Sequence, residues 1–469
     1  MRRLHALGPL MIIGMFAATP VSTASAASVP HNVDASQRHL NESEETIAVN
    51  PTNPDNIVMV SNIGHREAGL TAGMFAAISF DGGATWTHRL IGNNDSLGDS
   101  CCDPSLSFDE FGNLFLTYLF EAENEVPIAL STDGGLTFNI ISNVVAPPKN
   151  TPTKSGGDNR GLFRFVDQPT ITAGHGEVWV IVNAGGPMFA TGAPVTGLGQ
   201  VGAFFQGEVV PGTNNCTYGD IAIGPAGQVM QVCTLTESGQ GGGKLFINVD
   251  PDGLGPANFG DRVFVTATHV GGFDFIPAQV DRSIDAEPGL AWDRTGGPHN
   301  GRVYLINTKE RQNESDDTDI YVRYSDDDGA SWSQGVLVND DQTSNSQFLP
   351  KIALDQTTGD IAAVWYDARK DLGAGGVGDT DGAPNTDAQL WGAFSSNGGT
   401  SFSQNMQISA GTSNSHDSGN GIDYGDYSGL AFFGGVAHPA WSDNSNSTGT
   451  NPDGARHQLD IYTAAVTVS

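Results

Sequence analysis

The sequence predicts an all-β protein, a single β-propeller of four-stranded blades closed into a ring. Three observations predict it. One turn motif recurs along the chain. Pairs of short apolar strands recur around that motif. Gly is abundant, 61 of 469 residues, and it is spread between the short apolar runs as turn positions rather than pooled in a linker.

The chain opens with a segment that precedes the repeats. Arg2 and Arg3 are followed by a mainly apolar run from Leu7 to Ala18. The small residues Ser22, Thr23, Ala24, Ser25, Ala26 and Ala27 come next. That order is a secretory signal peptide over 1–27, cleaved near Ala26 or Ala27. The run is shorter than the roughly 20 apolar residues a membrane span needs. Export without membrane insertion is the expectation, with the propeller over 28–469.

Each repeat begins with a short apolar strand, a Gly-bearing turn and a second apolar strand. Thr46-Ile47-Ala48-Val49 precedes 56–61, and Pro104-Ser105-Leu106-Ser107-Phe108 precedes 113–118. Pro169-Thr170-Ile171-Thr172 precedes 177–182, and Asp220-Ile221-Ala222-Ile223 precedes 228–233. Pro288-Gly289-Leu290-Ala291-Trp292 precedes 302–306, and Pro350-Lys351-Ile352-Ala353-Leu354 precedes 360–365. Tyr427-Ser428-Gly429-Leu430-Ala431 precedes 436–441. Seven units at propeller-blade spacing follow, with six blades as the alternative count.

A third strand leads into the recurring turn. Ser79-Phe80-Asp81-Gly82-Gly83-Ala84-Thr85-Trp86 recurs as Ser131-Thr132-Asp133-Gly134-Gly135-Leu136-Thr137-Phe138. It returns as Ser325-Asp326-Asp327-Asp328-Gly329-Ala330-Ser331-Trp332 and, more loosely, as Ser395-Ser396-Asn397-Gly398-Gly399-Thr400-Ser401-Phe402. Asp accepts backbone hydrogen bonds within a tight turn, Gly takes a positive φ, and the closing aromatic packs into its blade. The fourth unit carries a degenerate turn, Asp250-Pro251-Asp252-Gly253, and the third has no recognisable copy. The last unit stops after its third strand, near 459–468. A closed ring leaves no free edge, so 28–36 are expected to supply the missing strand.

Charge and cysteine bound the partners. Asp plus Glu total 53 against 21 Lys plus Arg, a formal charge of -32. Such a surface repels nucleic acid and anionic lipid. Folding the fourth-unit hairpin about Pro225-Ala226 brings Cys216 and Cys233 to one end of the blade, where a disulfide is geometrically reasonable. Cys101 and Cys102 either pair with each other, stay as two thiols, or form a metal-binding pair.

Blade topology sorts the candidate site. Loops before the first strand and after the second share one face, and the recurring turns lie on the other. Ligands bind in the mouth of such a ring. The mouth face gathers His65, Arg66, Asp103, Asp167, Asp285, Glu287, His416 and Asp423 among other polar residues. Arg164, Arg282 and Arg369 come to it from three blades, and guanidinium forks suit a ligand carboxylate. Asp103 and Asp167 are further substrate-binding candidates. No cofactor is required. The acidic turns 376–382 and 316–319 leave room for Ca²⁺ but match no EF-hand loop and read as solvated surface turns. No zinc signature or phosphate-cradling loop occurs.

The Ser-x-Asp-x-Gly-x-Thr-Trp turns are similar to the Asp-boxes of the sialidase superfamily, and with the blade pattern the resemblance covers nearly the whole of 28–469. It implies an exported glycoside hydrolase acting on terminal acidic sugars. Such enzymes hold the sugar carboxylate with three Arg, use an Asp as acid/base, and use a Tyr as nucleophile. It nominates Arg164, Arg282 and Arg369 for the first role, Asp426 for the second, and Tyr424 or Tyr427 for the third. The family's Arg-Ile-Pro is missing; Phe163-Arg164-Phe165, in the third unit, is the nearest run. Two other functions fit the fold: a non-catalytic propeller binding an extracellular glycan, glycoconjugate or protein, and a polysaccharide lyase with His65 or His416 as base. A monomer is expected.

Overall fold

The computed structural model describes residues 1, 28–64, 67, 69–70, 72–120, 125–145, 166–312 and 315–468. Residues 2–27, His65, Arg66 and Arg164 lie outside the described residues. The rest forms seven antiparallel blades arranged as a ring. Among the described residues the one helical element is a 3-10 turn, Ser415–Ser418.

The blades follow the chain. Blade one is Glu42–Val49, Ile57–Ile63, Met74–Ser79 and Thr87–Ile91. Blade two begins at Ser105–Phe108, blade three at Asp167–Gly174 and blade four at Cys216–Ile223. Blades five, six and seven begin at Gly289–Trp292, Gln347–Leu354 and Gly429–Phe433. Blade seven receives its outer strand from the other end of the chain. Asn32–Asp34 pairs antiparallel with Asp460–Ala464, with Asp34 opposite Tyr462. The ring is closed by the segment that the sequence assigns to that task. In the third unit, which lacks the turn motif, two short strands, Gln200–Val201 and Glu208–Val209, share the outer position.

Strand alternation builds the core. Successive side chains point to opposite faces of a strand. In Ile57–Ile63, Val58 and Val60 pack with blade two, and Ile57 and Met59 pack with blade seven. Seven apolar clusters result, each between two neighbouring blades. Both faces of every blade are therefore buried, which explains strands that read as continuous apolar runs.

The recurring turns fasten blade to blade. Ser79 Oγ donates to Asp81 at 2.8 Å, and the Asp81 carboxylate accepts from the Thr85 amide and hydroxyl at 2.8 and 2.6 Å. The turns at Ser131 and Ser325 repeat this pattern, and the Asn397 turn keeps a looser form. The turns of blades two, five and six also lean on the preceding blade, the fifth through Gln228, which donates to Asp328 at 3.0 Å. Asn56 of blade one donates to Gly134 O at 3.0 Å, and Arg302 of blade five donates to Gly398 O at 2.8 Å. Gly135 has φ 95°, and a Cβ there would lie 2.8 Å from Val58 Cγ2. Only Gly fits that approach.

Candidate functional site at the ring mouth

The first strands of all seven blades line a central channel with a cavity of about 240 Å³. Each of those strands is entered through an equivalent residue, three positions before its first buried aliphatic side chain. These residues are Glu44, Asp103, Gln168, Tyr218, Glu287, Leu349 and Tyr427. The first six take a left-handed backbone, with φ between 40° and 55°. The strand register breaks at this point in blades one, three, four and six. Left-handed non-glycine residues and bulges are costly, and they cluster where a side chain must be aimed.

What they aim is an acidic cluster. The Gln168 amide N donates to Asp103 at 3.1 Å, and its side-chain amide donates to Asp426 at 3.2 Å. The Asp103 amide donates to Asn62 Oδ1 at 2.9 Å, and Asn62 donates in turn to Glu44. The Asp426 amide donates to Glu44 at 3.1 Å. Arg282 forms an ion pair with Asp426. Glu287 is 3% exposed, and its Oε2 has no hydrogen-bond partner; the Tyr427 hydroxyl has none either.

Arg282 reaches the mouth on a hairpin, Asp274–Ile276 with Gln279–Ile284, inserted between blades four and five. Gln279 anchors this hairpin to blade seven's entry loop through Gly425 O and the Tyr424 amide, each at 2.9 Å. Asp423 accepts from the amides of Asp281 and Arg282 at 2.7 and 2.9 Å.

Burial dominates the protonation of this cluster. Burial, with the charges of Asp167 and Asp426, pushes Asp103 up to about 8. Burial raises Asp167 as well, while its hydrogen bond to Asp103 pulls the other way, so the two carboxyls share a proton. Burial also raises Asp426, and Arg282 opposes it. Asp285 is pushed to about 7 by burial and the Asp426 charge. Tyr427 is raised well above an ordinary phenol by burial and by Asp103 and Glu44.

Of the residues nominated from sequence, Asp103, Asp167, Arg282, Asp426 and Tyr427 meet here. Two others do not. Arg369 lies between the outer strands of blades five and six, where it binds Asp340, Asp367 and Asn405 at 2.7, 2.9 and 2.8 Å and stacks 4.2 Å over the Trp391 ring. Tyr424 is fully buried, stacked 4.3 Å from the Tyr366 ring. Glu44, Gln168 and Tyr218 were not singled out from sequence. Their common signal is the place three residues before Ile47, Ile171 and Ile221.

Both cysteine pairs are disulfides. Cys216–Cys233 joins the first two strands of blade four. Cys101–Cys102 is a vicinal bridge immediately before Asp103, pinned by Cys101 N to Leu119 O at 2.7 Å and Leu119 N to Cys102 O at 2.9 Å. Asp371, Asp379 and Asp387 bring carboxylate oxygens within 4.8 Å of one another in the acidic 376–382 region. Those carboxylates accept local hydrogen bonds from Gly373, Gly382 and Thr380.

No family model matches the chain, and no curated protein matches it. Solved structures with a similar fold include an α-L-arabinofuranosidase of Fusarium graminearum, 12% identical with TM-score 0.45, covering 72% of this chain and 92% of that one. A protein of unknown function from Dyadobacter fermentans is 12% identical with TM-score 0.47, covering 94% and 99%. The Trypanosoma rangeli sialidase is 12% identical with TM-score 0.41, covering 91% of this chain and 55% of its own. At these identities the likeness is to sialidase-like β-propellers as a fold and assigns no residue a role.

Proposed function

We propose that the chain is a glycan-active propeller that hydrolyses a terminal glycosidic bond at the ring mouth. One observation supports this most. In a single half-buried cluster, Asp103 holds a proton up to about 8, while Asp426 is paired with Arg282, and Gln168 binds both. Glycoside cleavage needs one carboxylic acid to protonate the leaving oxygen and one carboxylate facing the developing oxocarbenium ion. Asp103 takes the first role, with Asp167 as its proton-sharing partner. Asp426, held by the guanidinium, takes the second. Tyr427 stays a neutral phenol beside so many acids, so it donates a hydrogen bond to the sugar instead of attacking it.

The mouth favours a neutral sugar over the terminal acidic sugars that sequence resemblance implies, because its described guanidinium, Arg282, is already taken by Asp426. Among the described residues, Glu44, Asp103, Asp167, Asp285, Glu287 and Asp426 face Arg282 at the mouth and Lys351 in the channel. An incoming carboxylate would meet one guanidinium already paired with Asp426. The two disulfides support an oxidising, extracytoplasmic setting.

A panel of chromogenic neutral glycosides run beside a sialoside tests the proposal. Release from a neutral glycoside, lost in Asp103→Asn and Asp426→Asn, is expected. Release from the sialoside alone would refute the neutral-sugar reading. Saturable glycan binding without release from any member would make the chain a lectin-like binder.

A further inference from the structure

The central channel opens at the turn end into a second cavity of about 490 Å³, against about 240 Å³ on the mouth side. Ile47 and Leu106 line both. The walls of the second cavity come from the ends of the first strands and the turns that follow them. They are mostly apolar, with Ile47, Val49, Leu106, Phe108, Phe432 and Phe433 among them.

The polar side chains of this wall are bonded to the protein, with one exception. Ser107 Oγ accepts from the Ala173 amide at 2.9 Å. Asp109 accepts from the Phe111 and Asn113 amides, each at 2.9 Å, and from Asn113 Nδ2 at 2.6 Å. Gln356 Oε1 accepts from the Arg294 amide at 3.0 Å, and its Nε2 donates to Trp292 O at 2.8 Å. Glu110 and His175 stand exposed at the rim, where Glu110 accepts from the Gly176 amide at 2.7 Å. The exception is the guanidinium of Arg294. Its Nη1 donates to Ile223 O at 3.0 Å, and its Nε and Nη2 donate to no described residue.

This guanidinium is built into the wall. It reaches past blade four to blade three, where a Cβ on Gly174 would lie 2.8 Å from Nη2 and 3.2 Å from Cζ. Glycine at that position leaves the guanidinium its place. Burial pulls Arg294 below the ordinary guanidinium value, and the Glu110 charge opposes this. A part-buried cation without a paired anion is costly, and its planar fork suits a carboxylate. Ligand pockets of roughly 300 to 1,000 Å³ combine apolar walls with a few polar groups that fix orientation.

We propose that the turn-end cavity binds a small carboxylic acid with an apolar aryl or alkyl body. The carboxylate takes the unused donors of Arg294, and the body lies against Phe108, Phe432 and Phe433. The site is independent of the glycan reading, since it uses none of the mouth carboxylates.

Isothermal titration calorimetry of the full chain tests the site. The probes are sodium 4-phenylbutyrate and sodium octanoate, each beside its alcohol, 4-phenylbutanol or octanol. The expected result is one-site saturation by at least one acid, about 10- to 100-fold tighter than its alcohol. Arg294→Gln should lose that margin. Arg294→Lys, which keeps the charge and loses the fork, should lose part of it. Asp103→Asn, at the mouth, should keep it whole. Melting temperatures check that each variant folds; where Arg294→Gln does not, Arg294→Lys carries the comparison, and an undiminished margin there overturns the site. Four other outcomes overturn it: neither acid saturates, acid and alcohol bind alike, the margin survives Arg294→Gln, or Asp103→Asn abolishes it.

Discussion

The two ends of the ring are built on opposite terms. At the end that carries the recurring turns, polar side chains close their own loops: Asp81 accepts from Ser79 and Thr85, and Asn56 reaches Gly134 of the next blade. At the mouth, six non-glycine residues hold left-handed backbones, and polar atoms of Glu287 and Tyr427 are left without partners. One end uses its polar groups to stabilise neighbouring blades. The other keeps them available to a ligand, in the way that functional sites store strain and unmet hydrogen bonds.

Substitutions at each end should separate stability from activity. At the mouth, Asp103→Asn and Asp426→Asn should each lower kcat on the responsive glycoside by about 10²- to 10⁴-fold, the usual contribution of a general acid or base, with little change in melting temperature. Arg369→Ala, away from both the channel and the mouth, should do the reverse. It strips the guanidinium from Asp367, which is 0% exposed, and should cost about 3 kcal/mol in denaturant unfolding while leaving kcat intact. Gly135→Ala at the turn end should cost about 1–3 kcal/mol, again without loss of turnover, because the new methyl meets Val58 at a positive φ.

A further effect concerns pH. Glu45 is 1% exposed, accepts from the Ser442 hydroxyl of blade seven at 2.8 Å, and is pushed by burial from 4.5 to about 8. A carboxyl raised in the folded state stabilises fully below its unfolded value, and that stability is lost as pH rises from about 4.5 through about 8. Glu45→Gln should flatten this part of the urea-midpoint profile. An unchanged slope would show that Glu45 does not hold its proton in the folded chain.

Much of this was legible in the sequence, for physical reasons. The turns need Ser, Asp and Gly at fixed spacing, so Ser79–Trp86 and its copies could be read directly. The missing outer strand of blade seven followed from the need to close an edge, and Asn32–Asp34 fills it. The mouth was half legible. Asp103, Asp167, Arg282 and Asp426 lie in the segments before the first strands or at their starts, which topology sends to one face. The same rule sends Arg369 there, yet in an acidic chain a guanidinium finds nearer carboxylates first. Tyr424 sits three residues from Tyr427, but the intervening Gly425, at φ 85°, is part of a turn that sends the two rings to different surroundings. Glu44, Gln168 and Tyr218 are not legible, because a left-handed backbone at a non-glycine residue has no composition signature.

Ring closure also sets an order of events during synthesis. The partner of Asn32–Asp34 is Asp460–Ala464, which is made after all six of the other blades. Until they emerge, six blades can stack, but the seventh lacks two of its strands and the first exposes one flank. Contacts so distant in sequence form late and slowly. Before that pairing forms, the molecule is an open arc with two exposed edges, and its exposure to wrong partners lasts until they meet.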